Sequence, residues 1–235
     1  MKLDNATVLI TGANRGLGLV FAREALARGA RKVYAAARDP AQLTLPGVVP
    51  LKLDVTRPED IAAAARAAGD LTLLINNAGI ASLGGFLNED SAAAAQQMLD
   101  TNFFGPMRLA QAFAPVLGAN GGGAILNVLS VASWINGPLL GAYGASKSAA
   151  WALTNGLRIE LKAQGTQVLG LHAGFIDTDL TRGIELPKSS PEAIVKAAFD
   201  GLEAGASEVL ADEISRAVHK SLSAEPAVYL QALER

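Results

Sequence analysis

Apolar positions along the chain follow two alternating patterns. Short, continuous apolar runs occupy Thr7–Thr11, Lys32–Ala37, Val48–Asp54, Leu71–Asn76, Ala124–Ser130, Gln167–His172 and Glu208–Ala211. Runs that are apolar throughout, rather than at every second residue, predict strands covered on both faces. Between them lie alanine-rich segments of helical period at Gly16–Arg28, Pro58–Ala68, Glu89–Leu117, Tyr143–Ala163, Pro191–Ala204 and Glu213–Arg235. Strand and helix in regular alternation predict an α/β fold, a doubly wound parallel sheet of about seven strands with helices on both faces. Thr56 ahead of Pro58 and Glu59, and Ser190 ahead of Pro191, are predicted helix caps. The glycines of 120–123 predict a turn before the fifth strand.

Composition narrows the function classes. The 235 residues, 50% hydrophobic, suit one core, so residues 1–235 are read as a single catalytic domain. The 20 basic and 22 acidic residues are intermixed, leaving a net charge of -2 and no basic patch for nucleic acid. The sequence has no cysteine, which excludes disulfides, thiolate metal sites and a cysteine nucleophile. His172 and His219 have no ligand-spaced partner and are read as structural, so no metal is predicted. No run approaches the about 20 uncharged apolar residues of a membrane span. Met1–Asn5 leads straight into a strand pattern, and the expected location is the cytoplasm.

The first strand is followed by Thr11-Gly12-Ala13-Asn14-Arg15-Gly16-Leu17-Gly18 and then a helix. Glycines let a backbone turn sharply and approach a pyrophosphate, and the free amides of a helix start favour an anion. The motif reads as a dinucleotide-binding turn, or more plainly as a tight β-α connection.

Tyr143-Gly144-Ala145-Ser146-Lys147 sets a phenol and an ammonium at i and i+4, on one face of a helix. A nearby ammonium favours the phenolate and would bring the phenol towards the range of a general acid/base. Proton delivery of this kind is what hydride transfer to a carbonyl requires. Ser130 stands thirteen residues before Tyr143, at the end of the fifth strand. Its hydroxyl could donate to a substrate oxygen beside the phenol.

Taken together these residues resemble the compact type of the short-chain dehydrogenase/reductase family. The glycine turn is similar to the family's T-G-x-x-x-G-x-G, and Asn76-Asn77-Ala78-Gly79 to its N-N-A-G. Asp54-Val55 resembles the acidic pair that contacts adenine, although Asp54 alone could be a cap or turn residue. Asn102 matches the asparagine that completes the catalytic tetrad by holding a water linked to the lysine; otherwise it is a polar interruption of a helix. Ser130 matches the substrate-orienting serine, whereas Ser133 reads as a pocket or loop residue and Ser146 as helical packing. The resemblance gives Lys147 a second role on the nicotinamide ribose, and gives Thr178, in Gly174-Phe175-Ile176-Asp177-Thr178, a contact to the carboxamide. Ala173 departs from the family by replacing a proline.

The resemblance implies a Rossmann-like sheet and an NADP(H)-dependent oxidoreductase, a carbonyl reductase or alcohol dehydrogenase acting on a small apolar ketone, aldehyde or secondary alcohol. Asn102, Ser130, Tyr143 and Lys147 would be catalytic. The dinucleotide would meet Gly12, Asn14, Arg15, Gly16, Leu17, Gly18, Arg38, Asp54, Val55, Asn77, Ala78, Gly79, Gly174, Ile176 and Thr178, together with Tyr143 and Lys147. Assembly as a homodimer or homotetramer would use Glu89–Leu117 and Tyr143–Ala163. Two other readings stand beside it: a sensor or scaffold that binds NADP(H) without turnover, and an epimerase or dehydratase, whose extra substrate domain has no room here.

NADP(H) is expected over NAD(H). NAD-dependent relatives carry an acidic residue at the end of the second strand; here Ala37 falls there and Arg38 follows. Arg15 adds a second guanidinium suited to a 2′-phosphate. The alternatives are two solvated arginines, or a later strand end that brings Asp39 to the ribose. A short substrate lid is expected at 179–190, implying loose substrate selection. Trp134, Leu139, Leu140 and Phe175 are candidate pocket walls or ordinary packing, Arg182 and Lys188 anion contacts or solvated charges, and Trp151 a core or subunit contact.

Overall fold

The structure, a computed structural model, describes residues 1–230. Its strands are β1 (Thr7–Thr11), β2 (Lys32–Ala37), β3 (Val49–Lys52), β4 (Leu73–Asn76), β5 (Ala124–Val128), β6 (Gln167–His172) and β7 (Glu208–Leu210). All pair in parallel, in the order β3-β2-β1-β4-β5-β6-β7. The helices are α1 (Gly16–Ala27), α2 (Pro58–Ala67), α3 (Ser91–Leu99), α4 (Gly105–Ala119), α5 (Gly141–Glu160), α6 (Pro191–Glu203) and α7 (Glu213–Ser221). This is the Rossmann-like arrangement the apolar pattern predicts.

Successive strand residues point to opposite faces, so each strand feeds two cores. Val8, Ile10, Val33 and Leu171 pack on one side with Phe21 of α1 and Phe199 of α6, whose rings meet edge-on at 5.4 Å. Leu9, Tyr34, Leu74 and Ile125 pack on the other with Ile61 of α2 and Leu109 and Phe113 of α4. Burial on both faces explains why the strands carry continuous apolar runs.

Three expectations need correction. The segment read as one helix, Glu89–Leu117, is two, joined by a π-helical turn at Asp100–Phe104. Pro106 has no amide hydrogen to give to the carbonyl of Asn102 four residues earlier, so a regular α-helix cannot pass through. The terminal helix stops at Ser221; a short 3-10 turn covers Val228–Leu230, and the remainder of that predicted helix lies outside the described residues. Thr56 does not cap α2: Arg57 takes the cap position, and the Thr56 hydroxyl donates to Asp54 at 2.7 Å. Ser190 does cap α6, accepting from Ala193 N at 3.1 Å. Among the described residues no helix is long and apolar enough to cross a membrane.

The sheet order reverses between β1 and β4, which leaves a crevice beyond the strands' C-terminal ends. A cleft of about 720 Å³ opens there.

Candidate active site

The loops that leave β1, β4, β5 and β6 build the cleft. In the glycine turn, Gly12 and Gly16 take φ +65° and +53°, which favours residues without a side chain. At Gly18 a Cβ would fall onto the Gly12 carbonyl oxygen and lie 2.6 Å from Asn77 Nδ2. The turn is thus closed against its own helix, a cradle that any side chain would fill. Asn77 ties it to β4: its Nδ2 donates to Thr11 O at 2.8 Å, and the amides of Asn77 and Ala78 donate to Thr11 Oγ1 at 3.0 and 2.9 Å. Asn77 lines the cleft, where sequence reasoning placed it, and its side chain also holds the turn.

Asn14, Arg15, Leu17, Arg38, Asp54, Val55, Ala78, Gly79, Gly174, Ile176 and Thr178 all line the cleft, as predicted from sequence. Burial alone would push the Asp54 carboxyl up, but hydrogen bonds from Thr56 and the charges of Arg38 and Arg57 hold it below the ordinary carboxylate range. Ala37 closes β2, buried, with Arg38 exposed after it. Asp39 lines the cleft and caps the 3-10 turn Pro40–Gln42, accepting from Ala41 N at 3.1 Å and Gln42 Nε2 at 3.2 Å. Arg15 pairs with Asp179 at 3.2 Å, and Arg182 pairs with the same carboxylate.

Ser130 follows β5 in extended backbone and caps the 3-10 turn Val131–Ser133, its Oγ accepting from Ala132 N at 3.1 Å. The hydroxyl proton remains available, and Ser130 and Tyr143 line the cleft together. Lys147, one turn beyond Tyr143 on α5, is buried; its Nζ donates to Val128 O at 2.9 Å and lies 5.8 Å from the Tyr143 ring centroid.

The electrostatics differ from the expectation that Lys147 lowers the phenol. Burial raises Tyr143 above the ordinary phenol range, opposed by the Ser130 hydrogen bond, and burial lowers Lys147 to about 8. Desolvation of both groups outweighs their mutual support in this arrangement.

Asn102 does not face the cleft. Its Oδ1 accepts from Ile80 N and its Nδ2 donates to Ile80 O and Ser146 Oγ, each at 2.9 Å. Ser146, read from sequence as helical packing, is fully buried and passes the connection on by donating to Tyr143 O at 2.7 Å. The π-helical turn therefore aims Asn102 at the loop after β4 and the first turns of α5 together.

The other candidates divide. Leu140 and Phe175 line the cleft, whereas Leu139 is exposed outside it. Trp134 is not a pocket wall: it stacks on His172 at 3.9 Å and meets Trp151 edge-on at 6.5 Å. Ser133 is buried, its Oγ accepting from Ser130 N at 3.3 Å. Lys188 lies 3.9 Å from Asp177, and Arg182 pairs with Asp179, so both cations have carboxylate partners. Sequence reasoning missed Asp212, which accepts from Gly174 N at 2.7 Å and so fixes the turn after β6. It lies 38 residues further on and had no motif to mark it.

Comparison with known proteins places this geometry. Residues 6–188 match the family model described as short chain dehydrogenase. Galactitol 2-dehydrogenase (L-tagatose-forming) of Cereibacter sphaeroides is 36% identical over 191 residues, 77% of this chain and 75% of that protein. Dehydrogenase/reductase SDR family member 4 of Bos taurus is 31% identical over 225 residues, 91% of this chain and 80% of that protein. A short chain dehydrogenase from Burkholderia cenocepacia J2315, solved in complex with NADP, has a TM-score of 0.95 at 37% identity, with both chains fully covered. A relative from Burkholderia phymatum, in complex with NAD, shares the fold with a TM-score of 0.87 at 24% identity. The chain belongs to the short-chain dehydrogenase/reductase family of oxidoreductases.

Proposed function

We propose that this chain is an NADP(H)-dependent carbonyl reductase or alcohol dehydrogenase, formed as one catalytic domain with a lid at 179–190 and working as a homodimer or homotetramer in the cytoplasm. The observation that carries the reading is that Ser130, Tyr143 and Lys147 line one cleft, with the Lys147 ammonium 5.8 Å from the Tyr143 ring centroid. Two hydroxyls beside an ammonium suit the oxygen of a carbonyl or alcohol.

The residues present fit a dinucleotide. The closed glycine turn leaves room only for backbone beside a pyrophosphate, and Asp54 is held ionised at the edge of the cleft. Gly12, Gly16 and Gly18 would meet the phosphates, Asp54 and Val55 the adenine, and Ala78, Gly79, Lys147 and Thr178 the nicotinamide half. When bound, the nicotinamide supplies or accepts the hydride. Tyr143 holds the proton that a developing alkoxide takes up in reduction, and receives it back in oxidation. Ser130 donates to the same oxygen and orients it. Lys147 supports the charge that remains on Tyr143 once its proton has left. Asn102, through Ser146, acts as a positioning residue for α5 rather than on substrate.

NADP(H) is favoured by the end of β2, where Ala37 stands in place of an acid and Arg38 follows it into the cleft with Arg15; Asp39 also lines the cleft, with its carboxylate engaged in capping a 3-10 turn. The Burkholderia cenocepacia relative, which binds NADP, supports the same choice. Leu83, Leu140, Phe175 and Ile184 give the cleft an apolar wall, which suits a small apolar substrate.

A panel of ketones, aldehydes and secondary alcohols, followed by NADPH absorbance, tests the reading. Turnover of an apolar carbonyl is expected; cofactor binding without turnover on any member would overturn it.

A further inference from the structure

His172 is the last residue of β6 and is fully buried. Both its ring nitrogens have partners. Nδ1 lies 3.1 Å from the main-chain oxygen of Ser130, and Nε2 lies 3.1 Å from Oε1 of Glu208 on β7. The Ser130 carbonyl can only accept. Glu208 is held below the ordinary carboxylate range, first by its hydrogen bond to His172 against the upward push of burial, then by the charges of His172 and His219 and a hydrogen bond from Trp151. Nδ1 therefore donates to the Ser130 carbonyl, and Glu208 holds the opposite side of the ring at Nε2.

The surroundings hold the ring in place. Trp134 stacks on it with centroids 3.9 Å apart and planes 16° apart. His219 of α7 stands on the far side, 3.7 Å from Glu208 Oε2. Arg158 of α5 donates to Ser207 O beside Glu208, and Asp212 is engaged by Gly174 N. Glu208 is thus the only carboxylate in contact with the ring among the described residues.

The ring sits where Ser130 is sutured to the sheet. Leu129 N donates to Leu171 O at 2.8 Å and Val131 N to Ala173 O at 3.0 Å, on either side of the His172 contact. The Ser130 carbonyl is therefore fixed from both flanks and from the imidazole. Its orientation sets where the Ser130 hydroxyl points in the cleft that Tyr143 also lines.

We propose that His172 is a positioning residue for Ser130, its ring clamped between the Ser130 carbonyl and the Glu208 carboxylate. The clamp rests on the role assigned above to Ser130, and its test separates the two. In full-length protein labelled with 15N-histidine, with His219→Gln identifying the second ring, Nδ1 of His172 should carry a proton that is protected from exchange with solvent. A His172 whose Nδ1 carries no proton overturns the clamp whether or not any ketone turns over.

Kinetics with NADPH and the panel ketone of highest turnover supply the second arm. His172→Leu should lower kcat about tenfold, the loss of one hydrogen bond to the serine, with KM for NADPH within about twofold of wild type. His172→Asn keeps an N–H near the Nδ1 position and should recover most of that loss. Glu208→Ala, which removes the support at Nε2, should lower kcat in the same direction as His172→Leu but by less, with KM for NADPH unchanged. Wild-type kcat in His172→Leu, or equal impairment in His172→Asn, contradicts the clamp. Should the His172 variants not fold, a wild-type kcat in Glu208→Ala contradicts it equally.

Discussion

Lys147 Nζ donates to the main-chain oxygen of Val128 at 2.9 Å, so the ammonium of α5 is anchored to the end of β5 rather than to the phenol one turn before it. The chain thereby keeps a buried cation beside the floor of the cleft. The geometry gives the lysine a fixed place and leaves its proton loosely held.

A pH dependence follows. Burial lowers Lys147 to about 8, so its charge is complete below that pH and is lost as pH rises through it. A ligand that favours the ammonium binds more weakly above that value, by up to tenfold per pH unit. NADPH affinity, measured by fluorescence titration, should be constant from pH 6 to 7 (~) and fall above about 8. In Lys147→Met, affinity should be lower throughout and this step absent. A step of equal size in the variant would assign it to another group.

Cofactor choice should rest on Arg15 and Arg38. Charge-assisted hydrogen bonds to a phosphate contribute about 1.5–3 kcal/mol each. Arg15→Ala with Arg38→Ala should therefore reduce kcat/KM for NADPH by at least about tenfold and leave NADH nearly unchanged. Arg15 also pairs with Asp179 at 3.2 Å in an exposed position. Exposed pairs contribute about 0.2–1 kcal/mol, so Asp179→Asn should improve KM for NADPH by no more than about fivefold. A higher kcat/KM for NADH than NADPH in the wild type would refute the assignment.

Asn102 should matter for stability and for catalysis. Asn102→Ala leaves the main-chain groups of Ile80 and the Ser146 hydroxyl without their partner in a buried place. Buried groups left unpaired cost about 1–3 kcal/mol each, so chemical denaturation should show a loss of at least about that size. Because the same contacts hold Tyr143 through Ser146, kcat should fall while substrate KM stays near wild type. Unchanged stability would show that another group, or water, replaces the amide.

The strand pattern was legible in the sequence because each strand is buried on both faces, and continuous apolar runs mark that condition directly. The glycine turn and the pair Tyr143 and Lys147 were legible because their spacing is local, within one turn or one helix face. What the sequence hid lies in contacts between distant segments. His172 and Glu208 are 36 residues apart and meet only because β6 and β7 are neighbours. Trp134 lies between two site residues in sequence, yet the 3-10 turn after Ser130 swings it beneath the sheet edge, onto His172. The break at Asn102 had a local mark in Pro106, but the alanine-rich periodicity on either side outweighed it. The effect of Lys147 on Tyr143 was misjudged because spacing gives proximity and not solvation, and burial governs both groups here.

The proton-donating role of Tyr143 is tested most directly by Tyr143→Phe, which removes one hydroxyl and keeps the ring. Single-turnover reduction of the best ketone with NADPH, measured beside cofactor affinity, separates chemistry from binding. A loss of about 10²–10⁴-fold in the hydride-transfer rate is predicted, with NADPH affinity within about twofold of wild type. Turnover at the wild-type rate in a folded, cofactor-binding Tyr143→Phe enzyme would contradict the assignment.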